Sequence, residues 1–377
     1  MKIILITILK LILKFVYFFL KLFPTNNKKV TFISRQGNEI NIDFKMIADE
    51  LIKRDKNIKI VFICKRMESS LLSKLSFALI TLKQMYHIAT SKIVILDSYC
   101  IPISILNHKK SLYVLQIWHS IGKIKKSGYQ TLDTPSGRSS KIAKAMNMHK
   151  NYDAIIAGGK AFNKFYCEGF NCNEDILLNY GLPRIDALIA ASKSNDSKVL
   201  KKYPELKGKK IVYYAPTFRT YPVDGAEKLI EAYNPDDFAL LMTCHPNQVL
   251  NVNTDKIYLL DLNEFSNIDI LSICDYLIAD FGSISIEGAV LKKKTLYYIY
   301  DYDEYTQKNG LNLDPTKSMP TCCFKKPEDL FKVINNDTYD TKALEKYIDN
   351  YLPKKLGQST KLIVDHILKV LYKKGSD

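Results

Sequence analysis

Four short islands hold the residues in this 377-residue chain whose types and spacing suit chemistry. They are Gln116-Ile117-Trp118-His119, Ala215-Pro216-Thr217-Phe218-Arg219, His245-Pro246 and Ala279-Asp280-Phe281-Gly282-Ser283. Each closes an apolar, strand-like run. In open α/β sheets ligands bind beyond the carboxyl ends of strands, so four polar strand ends point to one site. Two histidines, an arginine and a helix-opening Gly-Ser make sense together if the ligand carries phosphate.

His119 precedes a basic loop containing Lys123, Lys125 and Lys126. A neutral imidazole there suits a general base acting on a hydroxyl, and the lysines suit a negatively charged acceptor. A histidine hydrogen-bonded at a strand end is the plain alternative. Pro246 stops the strand before it and turns His245 outward, where a cation or donor would stabilise charge on a transferring phosphoryl group. A simple turn histidine reads equally well. The Arg219 guanidinium can grip two phosphate oxygens and the Thr217 hydroxyl can add a bond, unless Arg219 is merely a surface loop residue.

From Asp280 to Glu287 a strand gives way to a helix. Gly282 permits close backbone approach, Ser283 is a good N-cap, and the amides of a helix start attract phosphate. Glu287 suits a ribose hydroxyl. A plain capped helix explains the Gly-Ser as well. No phosphate-binding G-x-x-x-x-G-K-[ST] loop and no G-x-S-x-G elbow occurs. The six histidines lack metal-ligand spacing, and no cofactor is implied. No nucleic-acid recognition module is visible.

The elements that must position these islands alternate. Strands are expected at 30–34, 58–64, 93–97, 112–118, 153–157 and 176–179, with amphipathic helices at 44–53 and 70–86. After a lysine-rich polar stretch the pattern restarts, with strands at 210–214, 238–244, 256–260, 275–280 and 295–300. Helices fit at 226–232, 268–274, 283–292 and 327–334. Such alternation predicts parallel sheets, and two series predict two Rossmann-like α/β domains with a ligand cleft between them. The boundaries expected are 28–195 for the first domain and 205–345 for the second. Residues 346–377 then form helices that pack back.

An excess of 55 basic over 39 acidic residues favours an anionic partner. The eight cysteines show no disulfide or zinc spacing, which fits a reducing compartment. Residues 1–27 form an apolar segment in which Lys10, Lys14 and Lys21 fall within roughly 40° of one another on a helix. A lysine stripe suits an amphipathic helix lying in the plane of an anionic cytoplasmic membrane surface. A spanning segment and a buried helix are the alternatives.

Taken in order, Gln116-x-Trp118-His119, Gly181-x-Pro183-Arg184-x-Asp186, Ala215–Arg219, His245-Pro246, Asp280–Ser283 and Tyr300-Asp301 resemble the CDP-glycerol glycerophosphotransferase family. The family makes teichoic acids and related polyol-phosphate polymers. The resemblance implies a GT-B-like architecture and transfer of glycerol phosphate, or a similar polyol phosphate, from a CDP-linked donor to an acceptor hydroxyl, with release of CMP. It implies an undecaprenyl-diphosphate-linked or polymeric acceptor and a peripheral place on the cytoplasmic face of the cell membrane. His119 would be the base and His245 would act on the donor phosphates. The donor-binding set would be Arg184, Thr217, Arg219, Asp280, Gly282, Ser283, Ser285 and Glu287.

Three departures bear on the donor, CDP-glycerol or CDP-ribitol. Ser120 stands where the family has Gly or Ala, Phe218 replaces Trp, and Phe281-Gly282 replaces Tyr-Ser. The chain length and the segments 137–140 and 149–153 look more like the priming enzymes than the large polymerases. Two other readings remain at this point. One is a GT-B glycosyltransferase using a nucleotide sugar, which would release a nucleoside diphosphate. The other is a non-catalytic basic module on a membrane surface.

Overall fold

The β-branched and aromatic runs read from the sequence pair into two sheets. In the computed structural model, which describes residues 2–66, 71–135, 137–194, 196–244 and 250–373, every strand pair in both sheets is parallel. The first sheet comprises β1 (Asn26–Ser34), β2 (Lys59–Cys64), β3 (Ser91–Leu96), β4 (Tyr113–Gln116), β5 (Ala154–Ile156) and β6 (Leu177–Leu178), in the order β2-β1-β3-β4-β5-β6. The second comprises β7 (Ile211–Tyr214), β8 (Ala239–Thr243), β9 (Tyr258–Leu260), β10 (Tyr276–Ala279), β11 (Lys294–Tyr298) and β12 (Cys323–Phe324), in the order β12-β11-β10-β7-β8-β9. The expected pair of Rossmann-like sheets is therefore present. Strands such as β7 and β10 are buried along their whole length, as helices on both faces of a parallel sheet require.

The eleven expected strands all form. The two-residue β12 and the helix Tyr302–Asn309 were not foreseen. The first is too short for an apolar run, and the second buries only Tyr305.

Strand order reverses between β1 and β3 in one sheet and between β7 and β10 in the other. Such switch points open crevices at the carboxyl ends of the strands. Asp97 follows β3 and His119 lies beyond β4; residues 215–219 and 280–283 follow β7 and β10. The segment 120–130 is strapped across to the second domain. Asn312 N donates to Ile124 O at 2.7 Å, Gln130 Nε2 donates to Asn312 Oδ1 at 2.7 Å, and Lys125 bridges to Leu311. A Cβ on Gly122 would come within 2.6 Å of Ile286 and 2.7 Å of Phe162, so glycine is what lets the two domains close here.

The helix Ser359–Tyr372 returns to the first domain. Asp186 accepts from its first amides, Ser359 N at 3.0 Å and Thr360 N at 2.8 Å, and Tyr113 Oη meets His366 Nε2 at 2.7 Å. Helix α1 (Lys2–Leu20) docks on the same domain through Leu13 and Tyr17, which are buried, while Phe15, Phe18 and Phe19 among others are exposed. It is long and apolar enough to cross a membrane by length and composition. The lysine stripe differs from expectation. Lys10 Nζ donates to Ala145 O at 2.6 Å and Lys21 sits 5.9 Å from the Tyr17 ring centroid, so both face the protein; only Lys14 is exposed. Long lysine stems let the docked face keep its apolar contacts while each ammonium finds a polar or aromatic partner.

Candidate active site

Gln116 is fully buried at the end of β4. Its Nε2 donates to Ser98 O at 3.2 Å and its Oε1 accepts from Trp118 N at 2.9 Å. This fork holds Trp118 at φ 60°, in the left-handed region that a bulky residue rarely adopts. The Trp118 ring then lies 4.2 Å from that of His119. His119 Nδ1 is 3.1 Å from Asp97 O. A carbonyl can only accept, so the ring hydrogen belongs on Nδ1 and Nε2 is left able to take a proton. The Gln36 amide is 3.2 Å from the same Nδ1 and fits with its oxygen turned toward it. Burial lowers the His119 pKa, the Asp97 carbonyl opposes, and the charges of Arg184 and Lys123 lower it further. The imidazole is thus neutral at ordinary pH, the state a general base needs.

A cavity of about 450 Å³ brings His119 together with Lys123, Lys125, Lys126, Gly282 and Ser283. The lysines are not equivalent. Lys126 is exposed, but Lys123 is only 2% exposed. Its Nζ donates to Ser127 Oγ at 2.8 Å and lies 4.1 Å from the Phe170 ring centroid and 5.0 Å from that of Trp118. Burial pushes its pKa down to about 7. The expectation of a solvent-facing collector of anions is corrected for this residue, because aromatic faces replace most of its hydration. Ser120 turns its hydroxyl to Gly122 O at 2.7 Å, so it shapes its own loop.

On the second domain the expected donor residues divide. Arg219, 7% exposed, gives Nε and Nη2 to Asp301 at 2.7 and 2.9 Å. Its Nη1 goes to Thr217 O at 2.7 Å and Asp280 Oδ2 at 2.9 Å. Its plane lies 4.4 Å from the Tyr305 ring centroid. Burial opposes its charge, yet Asp301 and Asp280 together hold its pKa above the ordinary value. Four of five N–H groups are thereby engaged inside the protein, so the guanidinium positions the loop rather than standing free to fork a phosphate. Asp280 accepts from Thr217 N and Oγ1 and from Phe281 N, at 2.9, 2.6 and 2.6 Å. Thr217 and Arg219 line a neighbouring hollow of about 480 Å³ with Tyr221, Glu227 and Tyr300.

Arg184 and Glu287 sit behind the cavity instead of in it. Arg184 is ion-paired with buried Asp43, its backbone N donating to Asp43 Oδ1 at 2.8 Å, and its Nη1 is 4.0 Å from Glu287 Oε1 across the domain boundary. Burial raises the Glu287 pKa against the pull of Arg184. Ser285 is buried in the first turn of the helix Ile284–Val290 and donates to Gly282 O at 3.0 Å. His245 and Pro246 lie outside the described residues. Sequence reasoning did not assign roles to Asp43, Gln116, Trp118 or Asp301. The motifs holding Gln116, Trp118 and Asp301 were visible; Asp43 lies just before the expected helix 44–53, in the first turn of the observed helix Ile42–Arg54, and carried no signal.

Residues 15–369 match the family described as CDP-glycerol:poly(glycerophosphate) glycerophosphotransferase. The chain is 29% identical over 362 residues to the teichoic acid ribitol-phosphate primase of Bacillus spizizenii, covering 92% of each. It is 29% identical over 238 residues to the teichoic acid glycerol-phosphate primase of Bacillus subtilis, covering 61% of each. Among solved structures, the wall teichoic acid polymerase TagF soaked with CDPG superposes with a TM-score of 0.73 at 18% identity, over 94% of this chain and 91% of that one.

Proposed function

The chain belongs to the CDP-glycerol:poly(glycerophosphate) glycerophosphotransferase family, and from that we propose that it transfers a polyol phosphate from a CDP-linked donor to the hydroxyl of a lipid-linked acceptor. The observation that carries this reading is the single cavity in which neutral His119 of one domain faces the Gly282–Ser283 helix start of the other. His119 Nε2 takes the proton of the acceptor hydroxyl. The freed oxygen forms a bond to the β-phosphorus as the bridging P–O bond breaks, and CMP leaves with that electron pair. Little covalent work falls to the protein in such a reaction, so positioning and charge stabilisation dominate. Residues 28–195 then serve the acceptor and 205–345 the donor, with His245 on the donor phosphates.

CDP-ribitol is the donor favoured over CDP-glycerol. Similarity to a ribitol-phosphate primase extends over 92% of both chains, against 61% for a glycerol-phosphate primase. A primase role agrees with that full-length match. Membrane attachment is supported by the exposed apolar face of α1, with Leu79, Leu82 and Tyr86 of the helix Leu71–Thr90 also exposed.

The test is product analysis with CDP-ribitol and CDP-glycerol, each offered with a short-chain lipid-diphosphate disaccharide, bare or already primed with glycerol phosphate. CMP release with one added ribitol phosphate is expected. Release of a nucleoside diphosphate from nucleotide sugars instead would establish the glycosyltransferase alternative. For attachment, Phe15, Phe18 and Phe19 replaced by serine should shift the protein from sedimenting with anionic liposomes to the supernatant. Unchanged sedimentation would remove this face from the contact.

A further inference from the structure

A separate hollow of about 380 Å³ opens on the far side of Trp118, lined by Tyr99, Trp118, Thr131, Arg138, Met148 and His149. Trp118 is the wall it shares with the His119 cavity. The hollow sits at the switch point of the first sheet, where Arg35 follows β1 and Tyr99 lies just beyond β3. Arg35 Nη1 donates to Tyr99 O at 3.1 Å, and the Arg138 guanidinium lies 5.5 Å from the Tyr99 ring centroid. Among the described residues Arg138 forms no ion pair and no side-chain hydrogen bond; burial, and to a lesser extent the Arg138 charge, lowers the pKa of neighbouring Arg35.

Arg138 lines the hollow beside the Tyr99 ring, and its planar guanidinium fork suits a phosphate bound there. The flat faces of Trp118 and Tyr99 suit a sugar ring. Burial pushes the His149 pKa down to about 3 and keeps the ring neutral, so the positive charge of the hollow comes from Arg138. The loop beneath carries three non-glycine residues in left-handed conformation, Asn147, His149 and Asn151. Such strain persists only where the surroundings enforce it. The hollow also lies toward α1: Tyr99 Oη donates to Met146 O at 3.3 Å, and Lys10 of α1 donates to the adjacent Ala145 O at 2.6 Å.

We propose that this hollow is the acceptor subsite, holding a phosphate- or diphosphate-bearing saccharide with its sugar against Trp118 and Tyr99 and its phosphate on Arg138. The inference rests on the phosphotransfer reading. The acceptor enters from the side of α1 and passes Trp118, so its hydroxyl reaches His119 from the face opposite the Gly282–Ser283 helix start. That is the arrangement an in-line displacement requires.

The experiment is steady-state kinetics of the full chain and of Arg138→Gln, with the lipid-diphosphate disaccharide and either CDP-polyol. A charge-assisted contact of this kind predicts an acceptor KM raised roughly tenfold or more. The donor KM should stay within about twofold, kcat should move far less than the acceptor KM, and Arg138→Lys should recover part of the loss. Inorganic pyrophosphate should compete with the acceptor in the parent protein and less so in Arg138→Gln. An unchanged acceptor KM, or pyrophosphate competition against the donor alone, would overturn the assignment. If no acceptor supports CMP release, the phosphotransfer reading fails first. Calorimetric titration of both proteins with pyrophosphate then decides the subsite, because equal binding by the two removes Arg138 from it.

Discussion

On the C-terminal side of the cleft, one buried arginine meets two buried aspartates and nearly every donor finds an acceptor, whereas the N-terminal side is held by strain and partial solvation. Arg219, Asp280, Asp301 and Thr217 are bound to one another. Opposite them, Trp118 is bent into the left-handed region and Lys123 is buried with one hydrogen bond and aromatic faces. Six of the eight non-glycine residues with positive φ among the described residues lie between 118 and 171. A surface that grips a donor benefits from rigid, mutually satisfied charges. A surface that moves a proton needs a group whose protonation is easily changed, and burial with few partners supplies it.

The largest effect expected from breaking this contrast is at His119. His119→Ala should lower CMP release at least a hundredfold, the scale of a lost general base, while the melting temperature and CDP-polyol binding stay close to the parent values. Lost donor binding would move His119 to the other side of the comparison. Arg219→Ala should behave in the opposite way. It strands two buried carboxylates and should cost about 3–5 kcal/mol in urea unfolding, with activity lost through instability. A stable variant with weakened donor affinity alone would return Arg219 to the phosphate-binding role expected from the sequence.

Two smaller effects sharpen the comparison through pH. Because the His119 pKa is lowered, kcat/KM should reach its plateau on the alkaline side of a limb below pH 6.5, and fall as the ring is protonated in more acid solution. A limb at or above 6.5 would mean the imidazole is not desolvated. Lys123 shows its sign in stability. Its pKa falls from an ordinary 10.5 to about 7 in the fold. Below 7 the charge is carried in both states and its burial is fully unfavourable; above 7 the folded state sheds the proton, and the penalty fades toward 10.5. Lys123→Met should therefore raise the melting temperature most at pH 6 and progressively less toward pH 10. A gain independent of pH would assign the effect to packing instead.

Much of this was legible in the sequence. Alternating apolar runs and amphipathic stretches specified parallel sheets, because a strand buried on both faces must be apolar throughout. Strand-end polar residues pointed to the carboxyl edge of each sheet, where His119 and residues 215–219 and 280–283 lie. The partners of those residues were not legible. Arg219 reads as an available guanidinium until the fold brings Asp280 and Asp301 to it from 61 and 82 residues away. Arg184 reads as a donor contact until Asp43, 141 residues earlier, takes it. The lysine stripe of α1 follows from periodicity, but periodicity does not say that Lys10 and Lys21 turn to the protein while Lys14 meets solvent.

The sequence by itself determined the two-domain α/β architecture, the islands at the strand ends and the family, since each depends on local patterning and on the order of residues. Only the tertiary structure decided which charges are spent on one another and which remain for a ligand. That division follows from desolvation: a buried charge must take whatever partner the fold brings within reach, and distance along the chain carries no information about it.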